Sequence, residues 1–271
     1  MAGSPGCPRK YKVLAGEGIW YFSGMKTATY GRIVFGAAAV LYGVIALMWH
    51  DPETWENLRQ IWRLPLGMAI GGCLMAALIA GGIAMQFPRT VRMASVVLGA
   101  VYLLFALANI PDTIAAADVY NKYGGSFFQF VCMLCGAMAL YATTEANAAR
   151  ALALGRVARV GLGVCAISFT LGQALLLRET AGLVPAWIPP NGMFWAILTT
   201  IAFALAAMAM LVNRQARLAM RLMTLMLGLF GVLVWIPHVI AEPKTHFYWS
   251  EFALTLLITG AAWMVAELKS F

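Results

Sequence analysis

Residues 110–116 read IPDTIAA and residues 236–242 read IPHVIAE. The two stretches begin 126 residues apart (236 − 110) and share the pattern Ile-Pro-polar-x-Ile-Ala. Each closes a long apolar run. Where the first carries an acid, Asp112, the second carries an imidazole, His238. A proline corner written twice, at the ends of two apolar runs, predicts a structural unit made twice. The runs that flank it say what kind of unit it is.

The chain is 62% hydrophobic and 11% charged, against about 25% charged in an ordinary soluble domain. Together with a mean hydropathy of +0.80, this excludes a soluble globular chain, which could not hide so much apolar surface, and points to a bilayer. The five cysteines, Cys7, Cys73, Cys132, Cys135 and Cys165, show no disulfide framework. Most fall inside apolar runs, where a thiol packs as a small hydrophobe. Residues 1–28 carry Arg9, Lys10 and Lys12 but no compact apolar core with a small-residue cleavage site. No cleaved signal peptide is therefore expected.

Crossing a bilayer takes about 20 mostly apolar residues. Eight runs qualify: 29–49, 65–86, 91–111, 124–145, 157–177, 192–212, 218–240 and 247–267. Pro52, Pro88, Gly124-Gly125 and Pro189-Pro190 punctuate them. Lys and Arg concentrate on the cytoplasmic side of membrane proteins. With the N-terminus inside, Arg9, Lys10, Lys12, Lys26, Arg32, Arg89, Arg92, Arg150, Arg156, Arg159, Arg214, Arg217, Arg221 and Lys269 all fall inside, most of the 19 basic residues. The acids Asp51, Glu53, Glu56, Asp112, Asp118, Glu179, Glu242 and Glu251 fall outside. The net charge of +8 is thus a signal of orientation. No basic domain face exists to take up nucleic acid.

Other positions extend the repeat. Arg32 and Gly36 match Arg159 and Gly163; Trp62, Pro65, Gly67 and Met68 match Trp187, Pro190, Gly192 and Met193; Phe128 and Gly136 match Phe252 and Gly260. The expected fold is all-α and integral to the membrane, with both termini cytoplasmic. Residues 1–28 form a cytoplasmic N-terminal segment, 29–146 the first four-helix repeat and 147–271 the second. Four spans per unit is an even number, so both units insert the same way up, as parallel bundles side by side related by an axis along the membrane normal.

The second unit begins RVGLG at 159–163, continues VPAWIPPNGMFWA at 184–196 and RQARLAMR at 214–221, and closes on IPHVIAE. This pattern resembles the DoxX-like family of membrane proteins. The first unit, with IWRLPLGMA at 61–69, looks like a more diverged copy. The resemblance spans nearly all of the chain past residue 28. It implies a bacterial inner (plasma) membrane location. It also implies a link to quinone-coupled thiosulfate oxidation, in which some such proteins serve as small membrane subunits, or to thiol oxidation, to which others are linked. It carries over no catalytic motif.

Asp112 and His238 are the sharpest candidates for a site. Each follows a proline, which lacks an N–H and loosens the helix one turn earlier. On a parallel axis the two lie at equal depth, where acid and imidazole could line one outward vestibule, passing a proton or holding a polar head. The alternative is that both cap helix ends at the wet interface. Asn109 and Trp235 each sit one turn before them. Trp62 and Trp187 precede the second helix of each unit, where they either lid the vestibule or belong to an interfacial aromatic belt. Cys132 and Cys135 form a C-x-x-C on one helix face, a spacing that supports disulfide exchange, yet they fall well inside the fourth span. Gln129 and Gln173 could bond across helices, and Glu251 suits a helix N-terminus in the first turn of the eighth span. Three histidines and scattered acids give no metal-ligand spacing. No phosphate-binding glycine motif is present.

Three functions follow as expectations. The first is a non-catalytic membrane subunit or scaffold of a quinone-linked or electron-transfer complex, holding quinone or lipid in an outward vestibule and meeting membrane lipids and other membrane subunits as partners. The second is a thiol- or thiosulfate:quinone oxidoreductase subunit working through Cys132 and Cys135. The third is a small-solute or lipid transporter.

Overall fold

Inside a bilayer no water is present to satisfy a backbone amide, so an apolar run must satisfy its own by forming a helix. The computed structural model describes residues 17–49, 59–123 and 125–268. The expectations for Cys7, Arg9, Lys10, Lys12, Asp51, Pro52, Glu53, Glu56, Gly124 and Lys269 lie outside the described residues.

The elements, in chain order, are α1 (Glu17–Met48), α2 (Arg59–Trp62), α3 (Gly67–Ala84), α4 (Val91–Ala115), α5 (Val119–Tyr123), α6 (Ser126–Thr144), α7 (Ala148–Leu175), α8 (Leu177–Leu183), α9 (Gly192–Val212), α10 (Ala216–Phe230), α11 (Ile236–Ala241) and α12 (His246–Ala266). A π-helical turn, Gly231–Trp235, joins α10 to α11 without a break. Eight helical segments among the described residues are long and apolar enough to cross a membrane: the Tyr30–Met48 part of α1, then α3, α4, α6, α7, α9, the continuous Ala216–Ala241 and α12. The protein is an all-α, integral membrane protein.

Several helices overrun the expected spans. α7 starts at Ala148 because the Asn147 side chain accepts from the Arg150 amide and caps it 3.1 Å away. α4 passes through Pro111 to Ala115, since a proline costs one hydrogen bond that helix-satisfied neighbours can absorb. α12 begins at His246 and has no acid in its first turn. Glu251 therefore does not cap the helix, as expected from sequence, but lies a turn deeper.

Consecutive spans pack as neighbours: α1 on α3, α3 on α4, α4 on α6, then α7 on α9, α9 on α10 and α10 on α12. The two sets are not laid side by side as closed bundles. α1 packs on α12, α7 packs on α6, and α6 packs on α12 at the centre. Each half's last span thus supports the other half's first. Small residues permit this crossing: a methyl added at Gly260 would lie 2.7 Å from the Phe35 backbone nitrogen, and one at Gly136 would lie 2.6 Å from the Ala261 Cβ. In α12 61% of the span is buried inside the protein, against 28% for Ala216–Ala241, so α12 is central and α10 peripheral. Leu218, Leu222, Leu225 and Leu229 of α10 and Ile197, Ile201 and Leu205 of α9 are exposed; so much outward apolar surface suits lipid rather than water.

Two details recur in both halves. Arg92, starting α4, pairs with Glu145 after α6 (3.6 Å), and Arg221, in α10, pairs with Glu267 after α12 (3.7 Å). Gly67 and Gly192 each open a span beneath a carbonyl: a methyl on Gly67 would strike the oxygens of Ile61 and Trp62, and one on Gly192 the oxygen of Ala181.

Candidate ligand site at one end of the bundle

Two cavities open at the end where α4, α7 and α11 finish and α6, α9 and α12 begin. The first encloses about 600 Å³ and is lined by polar groups from α2, α4, the turn before α5, α6 and α12, among them Arg59, Asn109, Asp112, Asp118, Gln129 and Glu251. The second encloses about 440 Å³. Its walls are mostly apolar: Phe169 of α7, Trp195 and Phe203 of α9, Leu227 and Phe230 of α10, and Trp235 of the π-helical turn. Gln129, Phe247 and Glu251 line both cavities and form the wall they share.

In the polar cavity most groups are already engaged. The Gln60 side-chain amide donates to Asp112 Oδ1 at 2.7 Å, tying α2 to α4. Asn109 is buried and its Nδ2 donates to the Phe105 carbonyl at 2.8 Å, one turn before Pro111. Asp118 accepts from the Asn121 backbone and side-chain amides, both at 2.8 Å, closing the short helix α5. Glu251 differs. It is half-buried, its accessible surface opens into the cavities, and no hydrogen bond or ion pair joins it to another described residue. The same holds for the Gln129 amide. Glu251 was legible only as a helix cap, because its depth depends on where α12 starts.

The π-helical turn forms part of the apolar cavity's wall. Ile236 donates across five residues to Gly231, and Pro237 has no N–H to continue the ladder. One residue on, His238 Nδ1 donates to the Val234 oxygen, 2.7 Å away. Because a carbonyl only accepts, Nδ1 carries the hydrogen. The wider turn brings Val234 and Trp235 onto the cavity wall, a common use of π-bulges. Across the same cavity Thr199 and Thr200 hydroxyls donate to Gln173 Oε1, each at 3.3 Å, so Gln173 bonds between helices as expected.

The sequence candidates therefore separate. Asn109 and Asp112 line the polar cavity and Trp235 the apolar one. His238 lines neither; its ring lies 5.0 Å from that of Tyr248 and 6.1 Å from that of Trp235. Asp112 and His238 thus have different partners and do not form a facing pair. Trp62 is half-buried and Trp187 is 68% exposed, and neither lines either of the two cavities. Cys132 and Cys135 are buried within the core away from both cavities, with Cys135 Sγ against Gly161 of α7. Of the histidines, His246 borders the polar cavity, while His50 lies outside the described residues. Among the described residues no group of three or more His, Cys, Asp or Glu is placed to hold a metal ion.

Compared with protein-family models, curated proteins and solved structures, the chain matches none of them.

Proposed function

We propose that this protein is a non-catalytic membrane subunit that holds an amphiphile, a quinone or a lipid, with its head in the polar cavity and its tail in the apolar one. The observation that carries the reading is the shared wall of Gln129, Phe247 and Glu251, which joins a wet compartment to a greasy one at one end of the bundle. A soluble polar substrate would leave the aromatic cavity unused, and a wholly apolar one would leave the polar groups facing nothing.

The same reading includes a tandem duplication related to DoxX-like proteins, with cytoplasmic termini, in a bacterial inner membrane and in contact with further membrane subunits. Support comes from the packing order shared by the two halves, the two Arg–Glu pairs, and the glycines that open α3 and α9. The arginine-rich end, with Arg89, Arg150, Arg156 and Arg214, lies opposite the cavities, which favours an outward-facing site. Thiol exchange finds less support, because buried thiols away from any cavity cannot meet an external partner.

Native mass spectrometry of the protein released from mild detergent tests the reading. One tailed molecule retained per chain is expected, and Ala196→Phe, which fills the apolar cavity from α9, is expected to expel it. Release of bare protein from several lipid mixtures, or unchanged retention by a folded Ala196→Phe protein, would overturn it.

A further inference from the structure

The shared wall also constrains the head of the ligand. Among the described residues lining the polar cavity, the carboxylates Asp112, Asp118 and Glu251 outnumber the one guanidinium, Arg59. Asp112 is held by Gln60 and Asp118 by Asn121. Glu251 has no such partner, yet it stands where both cavities meet, among the helices of the bundle. A carboxylate with no protein partner inside a membrane protein is costly to hold and marks a place where a ligand completes it.

The chemistry of that ligand follows from the donor balance. A carboxylate group accepts hydrogen bonds and attracts positive charge. A quinone head offers only carbonyl acceptors, and a phosphate or sulfate head adds negative charge to an already acidic wall. An ammonium offers both donors and a positive charge. Beside Glu251 it would meet the Gln129 carbonyl, a second acceptor, and the Phe247 ring, whose face attracts a cation. The adjoining aromatic cavity would take its alkyl chain.

We infer that the junction of the two cavities selects an amphiphile with a cationic head: a long-chain ammonium whose charge pairs with Glu251 and whose chain lies among Phe203, Phe230 and Trp235. This rests on the amphiphile site proposed above and narrows it to one class of head.

Three chain-matched probes test it, 12-bromododecylammonium, 12-bromododecanol and 12-bromododecyl sulfate, titrated into the full chain in neutral detergent. The bromine quenches nearby indoles, and Trp195 and Trp235 line the tail cavity. The ammonium is expected to bind about tenfold tighter than the alcohol, as a charge-assisted hydrogen bond implies, with the sulfate weakest. Glu251→Gln is expected to reduce ammonium binding to the level of the alcohol and to leave the alcohol unchanged. Equal binding of ammonium and alcohol by the wild type, or a charge preference that survives Glu251→Gln, would overturn the inference while leaving an amphiphile site standing. If no probe quenches, both readings fall. Should Glu251→Gln not fold, the wild-type series decides by itself.

Discussion

His238 on α11 is held by the backbone, whereas Glu251 on α12 has no hydrogen-bond partner among the described residues. His238 is bonded to the Val234 carbonyl, and it lines neither cavity. Replacing it by Ala removes that donor, and a lost hydrogen bond to a part-buried carbonyl costs about 1–2 kcal/mol. We expect His238→Ala to lower the midpoint of thermal unfolding in detergent without changing the ammonium–alcohol preference, whereas Glu251→Gln should do the reverse. Cys132 and Cys135 belong with His238. The double Cys132→Ala, Cys135→Ala protein should lose roughly 1–3 kcal/mol of stability through the volume it vacates, and its ligand retention by mass spectrometry should match the wild type. The place of Asp112, Asn109 and Trp235 at one end of the bundle is legible in the repeated Ile-Pro motif, because proline marks a helix end near a polar boundary. Their separation into two cavities was not, since a side chain's direction depends on helix phase, and one π-helical turn alters that phase.

At the scale of elements, the spans are legible because bilayer thickness sets a length and excludes charge, two properties any window of sequence reveals. Their ends are less so: the caps at Asn147 and Asn191 decide where α7 and α9 begin. Among the glycines, composition cannot tell a required one from a spare. Gly192 lies beneath the Ala181 carbonyl, whereas a methyl on Gly72 would meet nothing within 4 Å. Gly192→Ala should therefore destabilise the protein by roughly 1–3 kcal/mol through overpacking. Gly72→Ala should be neutral or stabilising by up to about 1 kcal/mol, because alanine is the better helix former. Thermal unfolding of the two variants side by side measures the contrast. Equal effects would mean that the turn before α9 gives way easily.

For the whole molecule, matched residues predict a duplication, but they do not predict the crossing of the halves. Runs of small residues occur in α1, α3, α6 and α12 alike, and each could have faced another. Contacts such as those of Gly260 with Phe35 and of Gly136 with Ala261 choose α1 on α12 and α6 on α12. Residues 29–146 expressed without 147–271 should consequently fail to remain a stable monomer in detergent, because α1 lacks its seat on α12. Co-expression of the two pieces should restore a complex of one copy of each, read by native mass spectrometry. A stable, monodisperse first half would contradict this.

The seating of α1 against α12 also orders events in time. Among the described spans α1 is made first, and α12, the neighbour that packs against its Phe35 side, is made last. Until then α1 stands with that face open to lipid, and the wall carrying Phe247 and Glu251 does not yet exist. The wall shared by the two cavities thus closes only with the arrival of α12, so a chain halted before it leaves the Phe35 side of α1 without its seat.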